Sequence, residues 1–235
     1  YHDRRQSGVG RQGRRRIAAP PRMGRTVVAW GRVRRFRFGP HGRAATRKGD
    51  RRIMRIVVAG AKGSGKSTVG RALAERLGVT FVDLDDCICA RAAAEGRPAG
   101  SCAALYRAVG RDAFRALERE AAASVDPDGY FVLATGGSTL LDADARRALR
   151  GGACWVYLSA AVETLWPRIA EGPLPAYLEG EADPRARFAE RVARVDEALS
   201  WQSDLRVEID NRDVASIVDE LAAEMAGPER GRQRD

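Results

Sequence analysis

Residues 60–68 read Gly60-Ala61-Lys62-Gly63-Ser64-Gly65-Lys66-Ser67-Thr68 and fit Gly-x-x-x-x-Gly-Lys-Ser. Glycines at 60, 63 and 65 let the backbone turn tightly and aim its N–H groups inward, and a helix starting there adds its positive N-terminal end, so phosphates are held largely by main chain. Lys66 would reach the outer phosphates of ATP, and Ser67 would offer a hydroxyl to Mg2+. Asp83 and Asp85 lie two residues apart after a second apolar run and would point to one side of an extended chain. One carboxylate can hold magnesium through water while the other meets a substrate hydroxyl, which is what phosphoryl transfer requires; the same pair could instead only cap the next helix. Gly136 and Gly137 end a third apolar run.

These residues need strands to deliver them. From Met54 onward apolar runs alternate with helical patterns: strands at 55–59, 80–84, 130–134, 154–158 and 205–209, with helices between them. Gly78 closes the helix after the P-loop, Ser101 caps a helix running to about residue 124, and Asp183-Pro184 starts another that runs to about Leu199. Ser159 is expected to cap a helix reaching about Ile169, and Glu171–Asp183, with two prolines and two glycines, reads as a mobile loop. The pattern implies an α/β fold, a five-stranded parallel sheet flanked by helices, with ligand at the carboxyl ends of its strands.

Composition narrows the function. The net charge of +10 is uneven: residues 1–53 hold 17 Lys and Arg against 2 Asp and Glu, and the rest hold 24 against 29. The Arg-rich segment buries too little apolar surface to offset its ordering entropy and is expected to be disordered, although Thr26–Trp30 carries some strand pattern. It could act as a nucleic-acid-binding arm or, less fittingly with Ser7 its only serine, a targeting peptide. Because the chain opens on Tyr1 and Met54 directly precedes the first strand, the reading preferred is that 1–53 lies outside the functional domain and the natural product. That leaves a domain at 54–226 and a polar tail at 227–235. Both histidines, His2 and His41, fall in the basic segment, so a histidine base in the folded part is excluded. Cys87, Cys89, Cys102 and Cys154 fit neither zinc nor disulfide spacing and are expected to be reduced, mostly core residues of a cytoplasmic protein. No run approaches the ~20 apolar residues of a membrane span.

Four segments in order, the P-loop, Phe81-Val-Asp83-Leu-Asp85, Phe114-Arg115-Ala-Leu-Glu118 and Ala134-Thr-Gly136-Gly137, resemble shikimate kinases over residues 54–226. The resemblance implies the nucleoside-monophosphate-kinase-like P-loop fold, ATP and Mg2+ as co-substrate and cofactor, shikimate as acceptor in aromatic amino-acid biosynthesis, and a monomer. It implies roles by position: Lys66 on phosphate, Ser67 and Asp83 on magnesium, Asp85 on ring hydroxyls and as base, Arg115 on the substrate carboxylate with Glu118 supporting it, Gly136 and Gly137 against the ring, Arg168 and Arg212 near adenine. Two departures stand out. The lid reads Glu171-Gly-Pro-Leu-Pro175 where the family has Arg-Pro-Leu-Leu, leaving Arg185 or Arg187 to replace the lid arginine. The second carboxylate-binding arginine is expected at Arg194 rather than Arg191. A same-fold kinase for another small substrate, such as gluconate or a nucleoside monophosphate, and a non-catalytic nucleotide-binding homologue are the alternatives.

Overall fold

The computed structural model describes residues 27–29, 55–97, 100–126 and 129–226. The sheet has six strands: β1 (Val27–Ala29), β2 (Arg55–Gly60), β3 (Thr80–Asp83), β4 (Phe131–Ala134), β5 (Ala153–Ser159) and β6 (Leu205–Glu208), in the order β1-β6-β5-β2-β4-β3. The five strands from β2 onward are parallel. β1, from the segment expected to be disordered, pairs antiparallel with β6 at the edge, so the sheet has six strands rather than the five expected. The other residues of 1–53, and the 227–235 tail, lie outside the described residues.

Side chains alternate across the parallel strands, and both faces are covered. On β2, Ile56 and Val58 enter one core with α1 (Lys66–Leu77) and α7 (Val214–Ala226). Val57 and Ala59 enter the other, with α2 (Leu84–Ala94), α3 (Cys102–Ser124), α4 (Ala143–Arg150), α5 (Val162–Ala170) and α6 (Pro184–Ser200). This explains why β2 and β5 read as continuous apolar runs. Predicted caps hold at three helices: Gly78 adopts the left-handed conformation at φ 67°, Ser101 Oγ accepts from the Ala104 N–H, and Asp183 accepts from the Ala186 N–H ahead of Pro184.

Three local features differ from the sequence reading. Ser159 is the last residue of β5 and buried, its hydroxyl donating to the Val207 carbonyl; the α5 N-terminus is served from outside, by Asp210 accepting from the Ala161 N–H. The segment after α5 holds a single 3-10 turn, Ala176–Leu178, and Leu178 is fully buried, so an apolar anchor pins the middle of the expected mobile loop. Arg107 on α3 also grips Glu179 with Nε, 3.1 and 3.0 Å from its two carboxylate oxygens. Within α3, Gly110 breaks the helix at φ 80°, ψ 172°, a backbone conformation essentially confined to glycine.

Candidate active site

β2, β4 and β3 are adjacent, so their carboxyl ends deliver the P-loop, Gly136-Gly137 and the aspartate pair to one place. The strands are knit together there by the Thr135 N–H donating 3.1 Å to the Val58 carbonyl. In the loop, Gly60 has φ 155°, and a methyl there would stand 2.5 Å from Ser64 Oγ and 2.7 Å from the Leu158 carbonyl oxygen. The loop therefore closes against its own Ser64 and β5. Gly65 sits at the start of α1 with φ 78°. Ala61 takes a hydrogen bond of 2.9 Å from the buried Lys66 ammonium, which curls back over the loop. Burial pulls the Lys66 pKa from 10.5 down to about 8, against the pull of Asp85. Arg168, from α5, donates 3.1 Å to the Gly63 carbonyl and so lies against the loop, while Thr68 is exposed on the first turn of α1.

Asp83 caps α2 and serves the site at once. Its Oδ1 accepts from the Asp85 N–H at 3.1 Å, and its Oδ2 stands 2.6 Å from the Ser67 hydroxyl that donates to it. A hydroxyl and a carboxylate side by side at the mouth of a phosphate loop are the oxygen donors that a hard divalent cation takes, so the residues present fit magnesium. Asp85, one residue into α2, is held above the usual carboxylate range by burial and then by the Asp83 charge, with Lys66 and Lys62 opposing.

Beside the loop opens a cavity of about 150 Å³. Its walls include Asp85, Arg115, Glu118, Gly136 and Gly137, all expected from the sequence, together with Lys62, Tyr106, Arg111, Phe114, Tyr177 and Arg191. Gly136 has to be glycine: a methyl there would lie 2.7 Å from Thr139 Oγ1, 3.0 Å from Glu118 Oε1 and 3.1 Å from Asp85 Oδ1. Tyr106 meets Phe114 edge-on at 5.5 Å between ring centroids, giving the cavity an apolar wall across the Gly110 break. Cys102 lines it too and donates 3.3 Å to the Asp85 carbonyl, so this cysteine is a site neighbour rather than a core residue; all four cysteines are free thiols.

Several expectations need correcting. Glu118 is buried and accepts from the Thr139 hydroxyl at 2.9 Å; among the described residues this, and not an Arg115 contact, is its hydrogen bond. Burial pushes its pKa up, while Thr139, then Arg191 and Arg115, pull against that. Arg191, not Arg194, lines the cavity: its guanidinium lies 4.1 Å from the Tyr177 ring centroid, whereas Arg194 is exposed. The signal was available, because α6 buries Phe188, Val192, Val195 and Leu199. At roughly 100° per residue Arg191 flanks that face and Arg194 lies about twice as far round. Arg212 is engaged at the head of α7, bonding Ser216 and Glu220, which holds the loop after β6. Arg185 and Arg187 are exposed and paired with Glu163 and with Glu190 and Glu181, away from the cavity wall. Tyr177, which the sequence reading does not single out, lines the cavity, and its hydroxyl is buried with no hydrogen-bond partner among the described residues.

A phosphate loop and an aspartate pair opening onto a cavity with arginines define a P-loop kinase of small molecules. A family model described as Shikimate kinase matches residues 62–226. The shikimate kinase of Symbiobacterium thermophilum is 35% identical over 76% of this chain and 98% of its own, and that of a Thermus thermophilus strain is 32% identical over 72% and 89%. The structure of Acinetobacter baumannii shikimate kinase in complex with shikimate superposes with a TM-score of 0.61 at 25% identity, covering 72% of this chain and 90% of that one. The chain belongs to the shikimate kinase family.

Proposed function

We propose that this protein transfers the γ-phosphoryl group of ATP to a ring hydroxyl of shikimate. The observation that carries the reading is the composition of one cavity wall: Asp85 and the P-loop's Lys62 border it together with Arg115 and Arg191. An acceptor with a hydroxyl to phosphorylate and a carboxylate to anchor fits such a site.

The P-loop amides and Lys66 hold the phosphates of ATP. Ser67 and Asp83 would hold magnesium, which when bound neutralises charge on the outer phosphates. Arg115 and Arg191 pair with the acceptor carboxylate, a planar bidentate match. Glu118 and Thr139, locked to each other, support that end, and Gly136 and Gly137 let the ring lie against backbone. The acceptor hydroxyl oxygen then attacks the γ-phosphorus, the bond from that phosphorus to the β–γ bridging oxygen breaks to release ADP, and the hydroxyl proton passes to Asp85. Its raised pKa suits it to take that proton, and most of the rate comes from positioning and charge complementarity. Residues 54–226 constitute the catalytic domain, acting as a cytoplasmic monomer.

The reading is tested by measuring ADP release with shikimate, gluconate or a nucleoside monophosphate as acceptor. Shikimate should stimulate release at least ~100-fold more than a nucleoside monophosphate, which brings no carboxylate to the arginines, and more than gluconate, whose carboxylate sits on an open chain rather than a ring. Equal stimulation by gluconate would refute it.

A further inference from the structure

The transferring phosphoryl group spreads its charge over three equatorial oxygens, and cations around it supply much of the catalysis. Lys66 covers the nucleotide side. The segment expected to close over the other side, Glu171–Asp183, contains no lysine or arginine and four acids. Arg185 and Arg187 are bound to surface carboxylates, and Arg168 is spent on the Gly63 carbonyl.

Among the described residues four basic side chains line the cavity: Lys62, Arg111, Arg115 and Arg191. Arg115 and Arg191 reach the cavity from α3 and α6, and the proposed function gives them to the acceptor carboxylate. Lys62 belongs to the P-loop itself and shares the cavity wall with Asp85, on the side from which the loop would present the phosphoryl group. Its side chain is exposed, and among the described residues it has no hydrogen bond or ion pair. Its backbone is fixed: the Lys62 nitrogen lies 3.1 Å from where a methyl on Gly137 would stand, so the loop rests directly on the glycine pair that floors the acceptor site.

We infer that the Lys62 ammonium is the second cation on the transferring phosphoryl group, reaching it from the acceptor side of the P-loop while Lys66 holds it from the nucleotide side. The inference rests on the shikimate kinase reading and adds a catalytic role for a P-loop position whose backbone alone the motif uses.

The test compares the full chain with Lys62→Met and Lys62→Arg, reading kcat, shikimate KM, ATP affinity, and affinity for ADP with tetrafluoroaluminate, a mimic of the phosphoryl group in flight. Lys62→Met should lose on the order of 10²-fold in kcat, the usual cost of one preorganised donor. Its ATP affinity and shikimate KM should stay within about threefold, because the interaction is made in the transition state. Binding of ADP with tetrafluoroaluminate should weaken at least about tenfold relative to ADP alone, and Lys62→Arg should restore most of both losses. A Met variant with kcat within about twofold of wild type, or one whose losses are matched by lost ATP affinity, would overturn the inference, as would the same kcat signature in Arg111→Met instead. If the wild-type chain shows no shikimate-dependent turnover, the acceptor reading fails, and the tetrafluoroaluminate comparison alone decides Lys62: weakened binding supports it, unchanged binding refutes it.

Discussion

Asp83 divides its two oxygens between a helix N-terminus and the Ser67 hydroxyl, so capping α2 does not take it away from the P-loop. Its neighbours differ in what burial does to them. Asp85 must be ionised to accept a proton, and its pKa is raised, so activity falls as pH drops through a value above the ordinary 3.8. Lys66 must be charged to grip phosphate, and its pKa is lowered to about 8, so the grip on incoming ATP weakens as pH rises through that value. A profile of kcat/KM for ATP against pH, which reports the free enzyme, should be bell-shaped with its alkaline limb near pH 8; an alkaline limb near 10.5 would show that Lys66 is not desolvated. The acid-anchoring end gives a second test. Arg191→Ala should raise shikimate KM by on the order of 10²-fold, the cost of leaving a carboxylate unpaired, while Arg194→Ala should stay within about twofold, as an exposed charge does. Steady-state kinetics with each variant distinguish them.

Elements explain how those residues come to face each other. The break at Gly110 divides α3, so Tyr106 comes from the segment before it and Phe114, Arg115 and Glu118 from the one after. A methyl at Gly110 would touch nothing, so Gly110→Ala isolates the backbone cost, about 1–3 kcal/mol for that conformation. The variant should melt several degrees lower and lose shikimate affinity more than ATP affinity, because the P-loop is built on β2 and α1; calorimetry and substrate titration would show an equal loss of both if the break did not position the acceptor wall. The strands, the P-loop and the caps at Gly78, Ser101 and Asp183 were legible because each is written in local chemistry: apolar runs, glycine where φ is positive, an acceptor side chain before a helix. The Gly110 break was not, since glycine inside an amphipathic pattern reads as a weak helix residue until tertiary contacts fix its φ and ψ. The same holds for Leu178 and Tyr177, which sit in a Gly- and Pro-rich segment and are ordered by what they pack against. The choice between Arg191 and Arg194 is written in the α6 periodicity, which puts Arg191 nearer the buried face.

For the molecule as a whole, charge and fold separate cleanly along the sequence. The basic excess lies in residues 1–53, and the family match begins inside the P-loop and ends at Ala226. Among the described residues, that segment meets the sheet through the three-residue β1, at the edge beyond β6 and on the opposite side of β2 from β3 and β4. Deleting residues 1–53 should therefore cost at most about 1–2 kcal/mol of stability, the scale of a few edge hydrogen bonds, and leave kcat and both KM values within about twofold. Among the described residues no helix is long and apolar enough to cross a membrane. The proposed reaction requires both halves of the cleft to act on one phosphoryl group. The direct measurement is mass spectrometry of the products formed from ATP, magnesium and shikimate by the wild-type chain and by Asp85→Asn. The expected product is a monophosphate ester of shikimate formed one-for-one with ADP, at a rate reduced on the order of 10²–10⁴-fold in the variant. ADP formed without phosphorylated shikimate, or an Asp85→Asn enzyme as fast as wild type, would contradict it.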